Sequence, residues 1–241
     1  MAITTTVEHS IDTPARTARL RTVGLATALF VAPWFIVAAN TGDAITKLNG
    51  GDDLEPAGAL ALARDHLVLD RWSNLAALLG SLLLVPAVLG VMRVVRVRAA
   101  RVGLVGGVLM AAGYIAYFGI IFQWMIVDAM VRAGGSTSQH VDVLDASLDE
   151  PLTTWVYVLF VLGNIVGTFL VGLALIRART VPRSAGFLLI GWPVCHLSGL
   201  PFSEVVGAVL QAVALAVVGA VLLRSTRPDA VEPAPYELLR R

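Results

Sequence analysis

Six apolar stretches, each close to the roughly 20 residues that an α-helix needs to cross the hydrocarbon of a bilayer, alternate along this chain with charged junctions. They run over residues 23–39, 75–92, 102–127, 155–176, 185–200 and 205–223. In lipid every backbone N–H and C=O must find an internal partner, so segments of this length cross as helices. The expected fold is therefore all-α: a polytopic membrane protein with six transmembrane helices in a bundle.

The junctions switch sign from one to the next. Arg16, Arg19 and Arg21 precede the first span, Arg93, Arg96, Arg98 and Arg101 separate the second from the third, Arg177, Arg179 and Arg183 separate the fourth from the fifth, and Arg224 and Arg227 follow the sixth. The intervening loops, 40–74 and 128–154, hold eleven acidic residues between Asp43 and Glu150 against Lys47, Arg64, Arg71 and Arg132. Basic residues stay on the cytoplasmic side of a membrane. Residues 1–22 are then expected as a cytoplasmic N-terminal segment, 23–223 as the six-helix domain and 224–241 as a cytoplasmic tail, Pro-rich, charged and disordered. A competing reading makes the first apolar stretch a cleaved signal peptide, with Val37 and Ala39 at the small-residue positions of the cut; Glu8, Asp12 and the Pro33-Trp34 interruption argue against it.

Composition agrees with lipid as the solvent. Apolar residues make up 57% of the chain, charged residues 15%, and mean hydropathy is +0.78, where soluble domains hold roughly a quarter charged residues. The net charge of +1 conceals the segregation of signs and offers no surface for nucleic acid. All basic residues but Lys47 are Arg, which with the Ala and Val content is the composition of a high-GC bacterial genome; a bacterial cytoplasmic membrane is the expected location. Cys195 is alone, so no intramolecular disulfide and no multi-cysteine metal cage can form.

Both outer loops are long enough to carry short surface helices. Glu55-Pro56 followed by an Ala/Leu-rich run reads as a helix with Pro in its first turn. Ser136 or Ser138 can cap a second, with Val141, Leu144 and Leu148 on one face and Asp142, Asp145 and Asp149 on another; Pro151 suits the first turn of the following span. Pro33, Pro86 and Pro193 each remove a backbone bond within a span. The fifth span, with Gly186, Gly191, Gly199, Pro193 and Pro201, is expected to be discontinuous or strongly kinked around 191–193 and to act as a structural hinge. Small residues recur at helix-packing spacing: Gly103, Gly107 and Ala111, then Gly163 and Gly167, then Ala208, Ala212, Ala216 and Ala220. Such stripes serve packing within the chain, or contact with a second copy or another membrane protein.

The stretch LGNIVGTFLVGLALIRARTVPRSAGFLLIGW resembles bacterial multi-pass membrane proteins grouped as a domain of unknown function. There a Gly-rich helix ends in a small basic turn, followed by Pro-Arg, a Gly three residues on and another apolar span. Gly163, Gly167, Gly172, Pro182, Arg183 and Gly186 occupy those positions, and the entry to the second span, DRWSNLAALLGSLLL, is also similar. The resemblance covers about two thirds of the chain. It implies a multi-pass fold and carries no activity with it.

No G-x-S-x-G, H-E-x-x-H, Walker or G-x-G-x-x-G pattern lies in a suitable context, which argues against the commonest hydrolase, metalloprotease and nucleotide sites. Chemistry must then rest on polar groups within or beside the spans: Gln123 and Asp128 at the end of the third, Asn164 and Thr168 on one face of the fourth, and Gln211 in the sixth; Glu204, which follows Ser203 at the start of the sixth, is explained by N-cap and dipole effects. Trp34, Trp72, Trp124, Trp155 and Trp192 are expected as an interfacial belt. His66, His140 and His196 all fall in the outer half, and His66 and Asp70 share a helix face, so these four residues are the expected ligands of any zinc or other transition-metal site. No cofactor follows from the sequence. Three functional readings are open: a non-enzymatic accessory or small-molecule-handling bundle working at its outer face, a transporter of a small or lipophilic solute, and a membrane-embedded metal enzyme. The first is expected.

Overall fold

The computed structural model describes residues 12–48 and 55–225. Expectations for the first eleven residues, for Asp52 and Asp53, and for the tail from residue 226 lie outside the described residues. Every regular element among the described residues is a helix: α1 (Asp12–Leu48), α2 (Pro56–Asp65), α3 (Leu67–Val95), α4 (Ala100–Ala133), α5 (Thr137–Leu148), α6 (Pro151–Val161), a π-helical turn (Leu162–Gly167), α7 (Thr168–Ala178), α8 (Arg183–Leu197) and α9 (Ser203–Arg224). α6, the π turn and α7 form one continuous rod. With α1, α3, α4 and α9 it completes a set of five helices long and apolar enough to cross a membrane.

The fifth apolar stretch of the sequence departs from expectation in two ways. α8 has 15 residues, about 22 Å at the α-helical rise, short of the roughly 30 Å hydrocarbon layer. Its end comes early because Ser198 caps it and Gly199 turns the chain at φ +63°. The expected break at 191–193 does not occur, since α8 runs uninterrupted through Pro193. Proline removes one donor, and here both Trp192 and Pro193 are buried against neighbours that hold the helix together. α1 and α3 likewise continue through Pro33 and Pro86.

Around the bundle α1 packs on α3, α3 on α4, α4 on the α6–α7 rod, α7 on α8, α8 on α9 and α9 on α1, which closes a ring. Its core is aliphatic: Leu29, Leu84, Val88, Leu175, Leu189 and Leu215 are fully buried. Leu82, Val105, Ile115 and Phe169 point outward instead, the surface a bundle presents to acyl chains.

Small residues decide how closely the helices approach. A Cβ on Gly163 would strike the Gly113 backbone and the Leu109 carbonyl, and one on Gly167 would strike the Met110 backbone. α4 and the π turn thus meet backbone to backbone, as lipid-embedded helices do where side chains are small. The stripe on α9 is used similarly, with Ala208 and Ala212 buried. These stripes serve contacts within the chain.

α2 and α5 occupy the two longer loops, each with its Pro or Ser at the expected start. Leu60 and Ala63 of α2, Val127 of α4 and Leu144 of α5 form a separate apolar cluster. Arg64 donates to Thr137 Oγ1 at 3.2 Å, tying α2 to α5. The two short helices therefore sit together over one end of α4.

Candidate functional site

At the end of the bundle that gathers the acidic junctions, the helices part around a cavity of about 270 Å³. Each helix reaches it with the part its sequence places there: the last turns of α1 and α8, the first turns of α3 and α9, and the middle of α4 and of the α6–α7 rod. α2 leans over it with Ala59, Leu62 and Ala63.

Aromatic side chains make up much of the wall. Tyr117 stacks on Phe160 with ring centroids 5.0 Å apart, and Trp192 stacks on His196 at 5.2 Å; all four line the cavity, as do Trp124 and Tyr157. Tyr157 donates to Gln123 Oε1 at 3.3 Å, and Gln123 to Ser147 Oγ at 3.5 Å, so the wall is braced through α4 to α5.

The ionisable residues among the lining are Asp43, Asp70, Glu204, His196 and three tyrosines; among the described residues, no Lys or Arg lines the cavity. Asp43 pairs with Lys47 at 2.9 Å, and His196 Nδ1 lies 3.8 Å from Glu204 Oε1. The Glu204 carbonyl accepts a bond from Asn40 Nδ2 at 3.2 Å, which links α9 to α1 at the rim. Asn74, one turn beyond Asp70 on α3, reaches two carboxyl groups at once: its Nδ2 is 3.3 Å from Asp70 Oδ2 and 3.5 Å from Asp128 Oδ2. Asp128 is buried within α4, its backbone carbonyl accepting from Arg132 Nε at 3.3 Å.

The deep part of the cavity is polar but under-bonded. Asn164 sits in the π turn, 2% exposed, with Nδ2 spent on the Phe160 carbonyl at 3.1 Å. Among the described residues its Oδ1 has no partner, and neither does Trp192 Nε1. Just behind, Gln211 donates to the Tyr114 hydroxyl at 2.6 Å while its Oε1 and Thr168 Oγ1 also stay unpaired. Buried polar atoms are nearly always bonded, and here four without a partner among the described residues lie in or just behind the wall of one cavity. The π turn helps create it: widening the helix by one residue rotates Asn164 relative to the regular turns on either side, and such turns recur at functional sites.

Of the four expected metal ligands, the structure brings Asp70 and His196 to the same cavity. His66 stands at the junction of α2 and α3, and His140 lies on α5 beside Gly135. Among the described residues, no three His, Cys, Asp or Glu side chains assemble as a metal-holding group. Of the intramembrane polar residues, Asn164 lines the cavity, Gln211 and Thr168 lie buried, and Asp128 joins the Asn74 cluster. Asn74, Tyr114 and Tyr117 were not recognisable as members; the one local sign was Asn74 four residues after Asp70, a helical spacing. Of the five tryptophans expected at the interface, Trp34, Trp72 and Trp155 are exposed, whereas Trp124 lines the cavity and Trp192, 6% exposed, faces inward.

Comparison with family models, with curated proteins and with solved structures finds no match to this chain.

Proposed function

We propose that this chain is a multi-pass protein of a bacterial cytoplasmic membrane, with six crossings and both termini inside, whose outward-open cavity binds a small molecule. α8 is the sixth crossing in this reading. Two facts support it: α8 lies antiparallel between α7 and α9, with Gly186 against Gly172 and Ile176, and its far end delivers His196 to the same cavity as Asp43 and Asn74. A short helix crosses where the bilayer thins or flanking residues compensate. The Arg-rich junctions all lie at the other end, where Arg93 donates to Thr22 Oγ1 at 2.8 Å, so the positive-inside rule turns the cavity outward. Kinship with the multi-pass proteins grouped as a domain of unknown function, through Gly163, Gly167, Gly172, Pro182, Arg183 and Gly186, belongs to the same proposal.

The observation that carries a binding role is the set of buried, unpartnered polar atoms beside an aromatic cavity open to one face. A non-enzymatic small-molecule-handling bundle needs nothing further. Transport is the second reading, favoured by the depth of Asn164 and by the unpaired Thr168 Oγ1 and Gln211 Oε1 beneath it. Access of water-soluble reagents to the cavity from outside the cell tests the common core of both readings.

A further inference from the structure

Resting on that reading, we propose that the cavity takes a small organic cation: an ammonium group held between the carboxylates at its mouth, on an apolar body laid against the aromatic wall.

Charge is the first reason. Asp43, Asp70 and Glu204 line the cavity, and Asp128 stands behind Asn74. Facing them are Lys47, which pairs with Asp43 at 2.9 Å from outside the lining, and His196, 3.8 Å from Glu204. Asp70 and Asp128 crowd one amide; even with one proton shared between them, three carboxylates against these two leave the site negative with His196 neutral or charged. Low-dielectric walls focus that field on a guest.

The walls are the second reason. Tyr117, Trp124, Tyr157, Phe160 and Trp192 surround the space, and aromatic faces attract cations through their quadrupoles, most strongly where water is excluded. An anion would meet both the carboxylates and the negative ring faces. A plain hydrocarbon would leave the Asn164 acceptor without a donor.

The third reason is independent of charge. Asn164 is 2% exposed, lines the cavity and has an unpartnered acceptor in Oδ1. It lacks a donor, and an ammonium N–H or a hydroxyl on the ligand supplies one. At about 270 Å³ the cavity suits a molecule of one ring and a short chain.

The test uses the full chain in nanodiscs of neutral lipid, which prevents cations from collecting on the bilayer. Three probes of one shape are titrated by calorimetry: 2-phenylethylammonium, 2-phenylethanol and 3-phenylpropanoate. The expected order is cation first, with the alcohol about tenfold or more weaker and the anion weakest. The double variant Asp43→Asn/Glu204→Gln, at side chains 40% and 42% exposed, is expected to lose most of the preference for the cation while keeping its affinity for the alcohol. Circular dichroism and melting confirm that it is folded. Equal binding of cation and alcohol, tighter binding of the anion, or a preference that survives the double variant overturns the inference. If no probe binds while the Ala77→Cys variant, at the cavity wall, is still modified at its thiol from outside, the cation inference fails alone. If that cysteine is silent too, the outward cavity fails with it.

Discussion

Gln211 donates from Nε2 to the Tyr114 hydroxyl at 2.6 Å, a fully buried bond between α9 and α4 that closes the inner end of the cavity. In lipid no water replaces a lost partner, although measured bonds between membrane helices average only about 0.6 kcal/mol because the unfolded state finds partners as well.

Tyr114→Phe and Gln211→Leu are each expected to destabilise the bundle by about 1–2 kcal/mol, since each leaves a buried polar group unpaired. The double variant is expected to cost less than the two single changes added, because it removes both partners together. Unfolding of the three variants by SDS titration in mixed micelles measures the coupling. Strict additivity would show that the bond contributes nothing.

The close approach of α4 to the π turn gives a steric prediction. Gly163→Ala sets a methyl against the Gly113 backbone and is expected to cost about 1–3 kcal/mol. At Gly119 the nearest atom to an added Cβ is Val156 Cγ1 at 3.8 Å, an ordinary contact. There Gly→Ala is expected to be neutral or to stabilise by up to about 1 kcal/mol through helix propensity. Thermal unfolding in detergent separates the two.

Asn74 holds two carboxyl groups with one amide, at 3.3 and 3.5 Å. Asn74→Leu is expected to destabilise by about 1–3 kcal/mol, because buried Asp128 loses a donor. Asp128→Asn relieves the contact of like groups around Asn74 and is expected to be neutral or mildly stabilising. Added to Asn74→Leu, it should recover part of the loss. A further loss in the double variant would mean that the Asp128 carboxyl is held by something other than Asn74.

What could be read from the sequence was the part written in periodicity and sign. Alternation of Arg-rich and acid-rich junctions located the apolar rods, and Pro56 and Pro151 marked helix starts that the structure keeps. Single polar letters inside the spans pointed at Asn164, Thr168 and Gln211, all of which are buried. Which of them meet depends on helix rotation and depth, to which one chain of letters is nearly blind. Nothing in the run LGNIVG announces a π turn, since its glycines read equally well as an α-helical packing stripe. The break expected at Pro193 is absent because packing outweighs one missing bond. The histidines were grouped by side of the membrane alone, and sharing a side does not bring His66 and His140 to the cavity that His196 lines.

Reporter fusions after Arg101 and Arg183 are expected to read as cytoplasmic, and a fusion at Asp145 as external. The Arg junctions motivate this order. An external signal after Arg183 would remove α8 from the set of crossings.

The outward-open cavity is tested most directly by thiol access. In a chain whose lone cysteine is replaced (Cys195→Ser), single cysteines are placed at Ala77, 4% exposed and on the cavity wall, and at Ala174, fully buried in the aliphatic core. Intact cells are then treated with a charged, membrane-impermeant methanethiosulfonate. Ala77→Cys is expected to react from outside, faster with a cationic than with an anionic reagent because acids line the way in, while Ala174→Cys stays unmodified until the protein is denatured. Modification of Ala77→Cys only after the cytoplasmic side is opened would contradict the account, since the cavity would then face the cell interior.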